Sequence, residues 1–324
     1  MILPLLNHPD PAEAPHGRVP AVTTSNRRTS SALPNVKIAV SVVIPAHNES
    51  ASLPATLAAL AGQDVEGRVQ IVVVPNGCDD ATAAIARSWR ATFEAKGWEL
   101  IVRELEIGQK ASALNAGDAL ADEEAPRVYL DADVILSQNA LSAVLAALAE
   151  PGIHLAAPRV RVTPGRSRLT RSYASFWQRT PYVQSSVLGA GFYAVSAEGR
   201  RRWGEFPDIL ADDKLAQIQF ERHERRVCPE ATFDVRIPDG LRELASVRGR
   251  WLRGTWEIRR RWPQLAQRDR GRLDGLVNMT MTPAMWPKVG VVALVMVAGH
   301  VAAWRRMRQG TRHWERAHTT RGGV

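Results

Sequence analysis

Two pairs of carboxylates carry the clearest chemical signal in this sequence. Asp131 and Asp133 lie two residues apart at the end of a short apolar run, on the same side of the chain and free of a lysine partner. Mg²⁺ and Mn²⁺ prefer such oxygen ligands and complete their shells with water and phosphate oxygens. The pair therefore predicts a divalent-cation site beside a diphosphate ligand, with two solvated turn carboxylates as the alternative.

The second pair, Asp212 and Asp213, precedes a predicted helix. Asp212 in that position is typical of a simple helix N-cap. A carboxylate held beside another has its pKa raised by repulsion, which suits Asp213 to the work of a general base. About twenty residues earlier a run of small residues, which allows close approach of a ligand, begins with Gly189, Ala190 and Gly191.

Lys110 is the candidate cation for an anionic ligand. It opens a predicted helix over 110–120, and a cation near helix N-terminal amides can serve a phosphate. An ordinary exposed surface lysine is the alternative.

Alternating strands and helices must position these side chains. The pattern predicts strands over 38–45, 69–74, 99–103 and 128–130, and helices over 51–61, 79–98 and 110–120. This alternation predicts a mostly parallel α/β sheet with helices on both faces and ligands beyond the carboxyl ends of the strands. The polar segments 45–49, 75–80 and 131–133 all directly follow strands, and none has the glycine pattern of a Rossmann dinucleotide site or a P-loop.

Composition limits the class of protein. The 324 residues suffice for one large α/β domain or two small ones, and 45% hydrophobic with 23% charged residues excludes wholesale disorder, collagen-like repeats and a polytopic membrane protein. Cys78 and Cys228 are the two cysteines. They are too few and too far apart for a disulfide scaffold or a thiolate metal cluster, which favours a reducing compartment.

The positive charge is concentrated near the carboxyl end. The net charge is +9, but residues 248–324 contain 16 Lys and Arg against 4 Asp and Glu, with six of the ten tryptophans. Arginine and tryptophan beside an apolar run are typical of a membrane interface. Because no helix-turn-helix, zinc-finger or RNA-binding signature is present, we expect a membrane surface rather than nucleic acid as partner; a solvated arginine-rich helix remains open.

Seven motifs follow one another between Val40 and Gly254: VSVVIPAHNES, VVVPNGCDDAT, GQKASALNAG, YLDADV, GAGFYAV, ADDKLA and RGRWLRG. In this order they resemble the family 2 inverting glycosyltransferases of GT-A fold. The resemblance implies a Rossmann-like α/β domain that transfers a sugar, of the hexosyl type, from a nucleotide-diphosphate donor to an acceptor hydroxyl. It also implies a Mg²⁺ or Mn²⁺ cofactor and inversion at the anomeric carbon.

The resemblance assigns roles to individual residues. Donor or nucleotide binding falls to Pro45, Ala46, His47, Glu49, Asn76, Asp80, Lys110, Asp131 and Ala132. Within this set Asp80 would shape its loop, and Asp131 would face the ribose or metal-bound water. Asp133 would hold the metal with Asp131. Asp213 would be the general base, with Asp212 where the family usually has Glu. Gly189, Ala190, Gly191, Arg250 and Trp251 would lie on the acceptor side.

Two departures qualify the resemblance. Pro75 replaces the first acid of the second loop, which leaves the nucleotide base unspecified. Processive members carry Gln-x-x-Arg-Trp, and here Val247 precedes Arg250 and Trp251, which favours a non-processive enzyme.

The apolar segment Val289–Trp304 indicates where the enzyme works. Its 16 residues would form a helix of about 24 Å, against a hydrocarbon core of about 30 Å. A span would also place the arginines of 305–316 outside the cell, against the positive-inside rule. We expect a peripheral or monotopic helix or re-entrant hairpin at the cytoplasmic face of the cell membrane, ahead of a single short span and of a buried soluble helix.

The predicted organisation is a disordered lead-in over 1–36, a catalytic domain over 37–247 and a membrane-association region over 248–324. The acceptor would be lipid-linked or membrane-proximal, as in glycolipid or cell-envelope polysaccharide synthesis. A catalytically degenerate nucleotide-binding relative is the alternative. A sugar-nucleotide pyrophosphorylase would need a glycine-rich loop with Arg and Lys after the first strand, where this chain has Pro45–Glu49.

Overall fold

The computed structural model describes residues 37–180, 183–184, 187, 190–269 and 285–308. Its strands are β1 Ile38–Ala46, β2 Arg68–Pro75, β3 Glu99–Val102, β4 Arg127–Leu130, β5 Ile135–Leu136, β6 Leu155–Thr163, β7 Phe192–Val195 and β8 Arg225–Arg236. Its helices are α1 Leu53–Ala61, α2 Thr82–Ser88, α3 Arg90–Glu94, α4 Lys110–Asp118, α5 Ala140–Leu148, α6 Arg168–Trp177, α7 Ala197–Arg200, α8 Asp212–Ile218, α9 Leu241–Arg261, α10 Pro263–Ala266 and α11 Trp286–Arg308. Short 3₁₀ turns cover Arg222–Glu224 and Gln267–Asp269.

An eight-stranded sheet organises the described residues, in the order β3-β2-β1-β4-β7-β6-β8-β5. The run β3-β2-β1-β4 is parallel, which confirms the α/β prediction for this half. Beyond it the sheet is mixed, because β7 pairs antiparallel with both β4 and β6. In the pairing of β7 with β4, Tyr193 lies opposite Tyr129 and Phe192 lies opposite Leu130. The start of β7 therefore lies beside the end of β4.

Burial explains why the central strands form where they do. β1 and β2 are rich in β-branched residues, and their apolar side chains from Val40 to Ile44 and from Val69 to Val74 are fully buried. Such continuous apolar runs are typical of parallel strands covered on both faces. Since β1, β2 and β4 run in the same direction, the segments that follow them meet at one edge of the sheet.

The predicted helix over 79–98 is wrong in its bounds. α2 begins at Thr82, because the Asp80 carboxylate accepts a hydrogen bond of 2.9 Å from the backbone N–H of Thr82 and holds the preceding residues in a loop. The helix then breaks at Trp89 and ends in α3. Gly97, at a φ of 71°, turns the chain so that Trp98 is buried before β3.

α11 packs along α9 through glycines. A Cβ atom added to Gly249 would lie 3.1 Å from the Gly299 carbonyl oxygen, and one added to Gly299 would lie 2.7 Å from Cγ of Arg248. The helix is also tied at both ends: Lys288 donates to Ser175 over 2.9 Å, and Arg306 donates to Ser246 over 3.0 Å. Small residues therefore let the two helix backbones approach closely.

The predicted domain bounds and the predicted apolar segment can be compared with the described residues. The lead-in 1–36 lies outside the described residues. The proposed boundary at 247/248 lies inside α9, and the described residues from 37 onwards belong to one compact unit. α11, at 23 residues or about 34 Å, extends the predicted apolar segment at both ends. Its length is therefore sufficient for a membrane span, contrary to the expectation of a helix too short to cross.

Candidate active site

A cleft at the carboxyl edge of the parallel strands brings the two acid pairs together. β4 ends just before Asp131, and α8 begins with Asp212 and Asp213. The lining residues are Pro45, Lys110, Leu114, Tyr129, Leu130, Asp131, Gly191, Tyr193, Asp212 and Asp213. Residues predicted separately from distant parts of the sequence therefore share one surface.

Lys110 joins the two acid pairs. Its Nζ lies 3.1 Å from Oδ1 of Asp131 and 3.2 Å from Oδ2 of Asp212. Burial alone would lower the pKa of this amine, but the charges of Asp131 and Asp212 outweigh burial and raise the pKa above its ordinary value. The expectation that the first pair lacks a lysine partner is therefore wrong, because the lysine comes from the start of a different element, α4.

Asp133 is the exposed member of the first pair. Burial of its carboxylate by the surrounding protein, and then the charge of Asp131, raise its pKa to about 6. The intervening Ala132, predicted to contact the donor, is fully buried, and its carbonyl oxygen accepts a 2.9 Å hydrogen bond from Thr56 Oγ1. The loop that carries Asp133, two residues after Asp131 of the cleft lining, is therefore fixed by Thr56 of α1.

The second pair is more enclosed. Asp212 is 6% exposed and lies in the first turn of α8, where the N-cap is Ala211 rather than Asp212. Burial first, and then the charge of Asp212, raise the pKa of Asp213 to about 7. The backbone N–H of Lys214 donates to Oδ1 of Asp213 over 2.7 Å, which orients the carboxylate. This is the arrangement that the sequence predicted for a general base.

Gly191 holds the loop of Asp131 in place. Its carbonyl oxygen accepts a 2.8 Å hydrogen bond from the Asp131 backbone N–H. Its φ of 102° favours glycine, and a Cβ atom there would lie 2.6 Å from Cγ2 of Val134. Ala190 is half-buried beside it, and Gly189 lies outside the described residues.

Arg250 and Trp251 are consecutive residues of α9, but their side chains have different surroundings. Burial lowers the pKa of Arg250, although the charges of Asp131 and Asp213 act against that shift. Arg250 therefore belongs to the electrostatic surroundings of both acid pairs. Trp251 instead lies against Trp177 of α6, with the ring centroids 5.5 Å apart.

The predicted nucleoside side is built from the loops after β1 and β2. Nδ1 of His47 lies 2.6 Å from the carbonyl oxygen of Asn76, which links the two loops. Asn76 is fully buried and donates from Nδ2 to the carbonyl oxygens of Ala46 and Val74. Its amide therefore shapes the loops from behind, rather than offering that side chain to a ligand as the sequence predicted.

Asp80 and Glu49 complete this loop framework. The backbone N–H of Ser50 donates to Oδ2 of Asp80 over 3.1 Å, and that of Glu49 donates to Thr82 Oγ1 over 2.7 Å. Burial would raise the pKa of Asp80, but hydrogen bonds from Thr82 and Ser50 lower it to about 2. Asp80 is thus an ionised acceptor within the loop, and the nucleotide-side role that the resemblance implies for it stays a prediction.

Tyr193 and Leu114 line the cleft but were not singled out from the sequence. A signal for Tyr193 was available: it follows Gly191 by two residues, and alternate residues of a strand share a face. Leu114 follows Lys110 by one helical turn and so lies on the same face of α4.

The first acid pair fits a divalent cation. Among the described residues no cluster of three or more His, Cys, Asp or Glu side chains could hold a metal ion alone. Mg²⁺ and Mn²⁺ nevertheless bind through one or two carboxylates with water and substrate phosphates as the other ligands. Asp131 and Asp133 offer such a set: burial and then the charge of Asp131 raise the pKa of Asp133, and a bound cation would offset both by stabilising the ionised carboxylate.

Comparison with protein families agrees with this geometry. Residues 41–195 match the family model described as Glycosyl transferase family 2, a match that begins in β1 and ends with β7. No curated protein sequence matches the chain significantly.

Two solved structures, both with a bound nucleotide, share the fold of this chain. The mannosyltransferase PcManGT from Pyrobaculum calidifontis, in complex with GDP-Man and Mn²⁺, has a TM-score of 0.59 at 18% identity over 86% of this chain and 92% of that one. TarS residues 1–349 from S. aureus, in complex with UDP, has a TM-score of 0.51 at 15% identity over 86% of this chain and 93% of that one. At these identities the likeness concerns the fold.

Proposed function

Because residues 41–195 are a glycosyl transferase family 2 domain, we propose that this protein transfers a sugar from a nucleotide-diphosphate donor to an acceptor hydroxyl, with inversion at the anomeric carbon. The observation that carries the proposal is the joining of Asp131 and Asp212 by one lysine in the cleft. A cation-binding acid pair and a proton-accepting acid pair thereby lie on either side of a single ligand position.

Asp213 is the general base of the proposed reaction. The acceptor oxygen forms a bond to the anomeric carbon, while the bond from that carbon to the diphosphate oxygen breaks and the acceptor proton passes to Asp213. A carboxylate with a pKa of about 7 is matched to accepting a proton near neutral pH. One displacement of this kind inverts the configuration at the reacting carbon.

Lys110 and the first acid pair act on the diphosphate. Lys110 is placed to exchange its carboxylate partners for a phosphate oxygen, because the start of α4 brings its ammonium group into the cleft. Asp131 and Asp133 would hold Mg²⁺ or Mn²⁺, which when bound neutralises the charge that gathers on the leaving diphosphate. The bound nucleotides named for the two structural neighbours, GDP-Man and UDP, have different bases, so the base and the sugar of this donor are to be measured.

A direct test uses a panel of nucleotide sugars. Purified protein is titrated with UDP, GDP, UDP-GlcNAc, UDP-glucose, UDP-galactose and GDP-mannose, with Mn²⁺ and with excess chelator. We expect at least one pair of nucleoside diphosphate and nucleotide sugar to bind, more tightly with Mn²⁺. Failure of every compound to bind in either condition would contradict the proposal.

α11 supports a membrane-proximal acceptor at the cytoplasmic face. This helix is long and apolar enough to cross a membrane by length and composition, with a mean hydropathy of 1.5 over its best window, although only 17% of that window is buried. Val295, Gly299 and Ala303 form its buried face. Its opposite face exposes Trp286, Leu294, Val297, Val301 and Trp304, each by 43% to 64%.

The position of this exposed face favours an in-plane helix over a span. α11 is held to the domain along its length by the close contact between Gly249 and Gly299. Arg305 and Arg308 are exposed beside Trp304, and the guanidinium of Arg308 lies 3.8 Å from the Trp304 ring centroid. Arginine and tryptophan flanking an apolar face suit the boundary of an anionic lipid surface. An acceptor anchored in that surface would then be close to α9 and Arg250.

Vesicle flotation tests this placement. Replacing Leu294, Val297 and Val301 together by serine alters only exposed positions, and we expect it to abolish binding to vesicles of phosphatidylcholine and phosphatidylglycerol. Leu120→Ser, at another exposed leucine, is the control and should bind as the wild type does. Equal flotation of the triple variant and the wild type would refute the role of α11.

A further inference from the structure

Tyr193 has a buried hydroxyl group for which the structure provides no partner. The residue is 5% exposed, and its Oη is buried without a hydrogen bond among the described residues. Leaving a buried hydroxyl without a partner costs free energy, because its bonds to water are lost on folding. Such a group in a native structure calls for a specific explanation.

The neighbouring tyrosine shows that the fold can satisfy such a group. Tyr129 pairs with Tyr193 across β4 and β7, and their rings stack with centroids 4.9 Å apart. The Tyr129 hydroxyl lies 2.8 Å and 3.0 Å from the two carboxylate oxygens of Asp118, and it accepts a 2.8 Å hydrogen bond from Nε of Arg200. The two phenols therefore differ in one respect: the described residues supply partners to the Tyr129 hydroxyl and none to the Tyr193 hydroxyl.

Tyr193 shares the cleft with Asp131, Asp212 and Asp213. It lines the cleft, and it follows Gly191, whose backbone binds Asp131. Burial raises the pKa of the Tyr193 hydroxyl, and the next largest cause is the charge of Asp212. The phenol therefore stays protonated and neutral. The residues that line the cleft with it include Asp131 on the proposed diphosphate side and Asp213, the proposed base.

The transferred sugar must occupy the cleft that Tyr193 lines. In an in-line displacement the anomeric carbon lies between the leaving diphosphate and the acceptor oxygen that loses its proton to the base. A phenol both donates and accepts hydrogen bonds, as does a sugar hydroxyl, whereas a phosphate oxygen only accepts. The free hydroxyl in this position is thus complementary to a sugar.

We propose that the Tyr193 hydroxyl binds a hydroxyl group of the transferred sugar and thereby helps to select which sugar the site accepts. The proposal rests on the proposed function, since it assigns a residue to the sugar of that donor. It makes Tyr193 a specificity-determining residue, separate from the groups that hold the diphosphate. Removing its hydroxyl should therefore weaken the binding of nucleotide sugars and leave the binding of nucleoside diphosphates unchanged.

Tyr193→Phe tests the proposal because it removes the hydroxyl and keeps the ring. With UDP, GDP, UDP-GlcNAc, UDP-glucose, UDP-galactose and GDP-mannose as probes in Mn²⁺, we expect the Kd of the best-bound nucleotide sugar to rise about tenfold. The Kd of its nucleoside diphosphate should stay within twofold. The ratio of affinities between UDP-glucose and UDP-galactose should also change if either of these sugars binds.

Thermal melting of the ligand-free protein provides a second measurement. Tyr193→Phe should raise Tm, because it removes a polar atom that has no partner, whereas Tyr129→Phe should lower Tm by leaving Asp118 and Arg200 without a shared partner. A lower Tm for Tyr193→Phe would show that its hydroxyl is bonded within the protein and would overturn the proposal.

The binding outcomes separate this inference from the proposed function. If the wild type binds a nucleotide sugar and Tyr193→Phe binds it equally well, the inference fails and the proposed function stands. An equal loss for the nucleotide sugar and its nucleoside diphosphate would also overturn the inference, since the hydroxyl would then act on the nucleotide. A wild type that binds none of the six probes overturns both.

Discussion

The two acid pairs of the cleft share one lysine but differ in their surroundings. Asp133 is exposed on a loop after a strand, whereas Asp212 is nearly buried in the first turn of a helix. Repulsion within the first pair can be relieved by a cation from solvent. The enclosed second pair keeps Asp213 at a pKa of about 7. Similar residues are thereby suited to different work, with metal binding proposed for the first pair and proton transfer for the second.

The largest effect should come from the second pair. We expect Asp213→Asn to lower kcat by about 10² to 10⁴, because the amide cannot accept the acceptor proton. Donor affinity should change little, since Asp213 does not hold the diphosphate. Steady-state transfer and titration with the nucleotide sugar check both statements. Asp208→Asn, at an exposed carboxylate near the start of the same segment, is the matched control. Substantial residual transfer would remove Asp213 from the role of base.

A substitution in the first pair should weaken binding of the divalent cation. Asp133→Ala is expected to lower transfer at least about a hundredfold and to abolish Mn²⁺ binding seen by electron paramagnetic resonance with nucleoside diphosphate present. Glu123→Ala, another exposed acid, should leave Mn²⁺ binding intact. Undiminished wild-type activity in excess chelator would contradict the metal assignment.

Lys110 tests how far the pairs depend on each other. Lys110→Met should weaken binding of the nucleoside diphosphate about tenfold, because the phosphate loses a cation. It should also move the acidic limb of the pH profile to higher pH, since Lys110 lowers the pKa of Asp213 in the intact site. Lys37→Met, at an exposed lysine, controls for the change of net charge. A shift of the limb without loss of affinity would restrict Lys110 to the second pair.

The pH profile of the unmodified protein tests the second pair without a substitution, and its effect is smallest close to pH 7. Asp213 must be ionised to accept a proton, so kcat should fall about tenfold per unit as the pH drops below about 7. A pKa raised in the folded state also means that ionisation opposes folding, so stability should decline as the pH rises from about 4 to 7. Asp133, whose pKa is also raised, contributes to this decline up to about pH 6, so Asp213→Asn should make the decline in Tm smaller and remove its part between about pH 6 and 7. A kcat that stays constant from pH 5 to 8 would contradict the assignment of Asp213 as the general base.

The sequence predicted most of the parallel half of the sheet. The β-branched runs at 38–45 and 69–74 are long and continuous, and the polar segments that follow them locate the carboxyl edge. The insertion of β7 beside β4 is not readable from the pattern, since four residues at Phe192–Val195 have no local signal for their partner strand. That pairing is what brings Tyr193 into the cleft.

The site was predicted in its residue types better than in its contacts. Asp133, Asp213 and Lys110 were identified because they follow strands or open helices. The link from Lys110 to both acid pairs depends on how α4 and α8 pack around the end of β4, which spacing along the chain does not encode. The burial of Asn76 is likewise a tertiary effect, as its amide binds the ends of two neighbouring strands.

One measurement tests the central claim most directly: release of nucleoside diphosphate from the nucleotide sugars of the binding panel, with Mn²⁺ and washed membranes as the source of acceptor. The account predicts release from at least one donor by the wild type, loss of that release with Asp213→Asn, and a product whose anomeric configuration is opposite to that of the donor. Equal release by the wild type and Asp213→Asn, or a product with retained configuration, would contradict it.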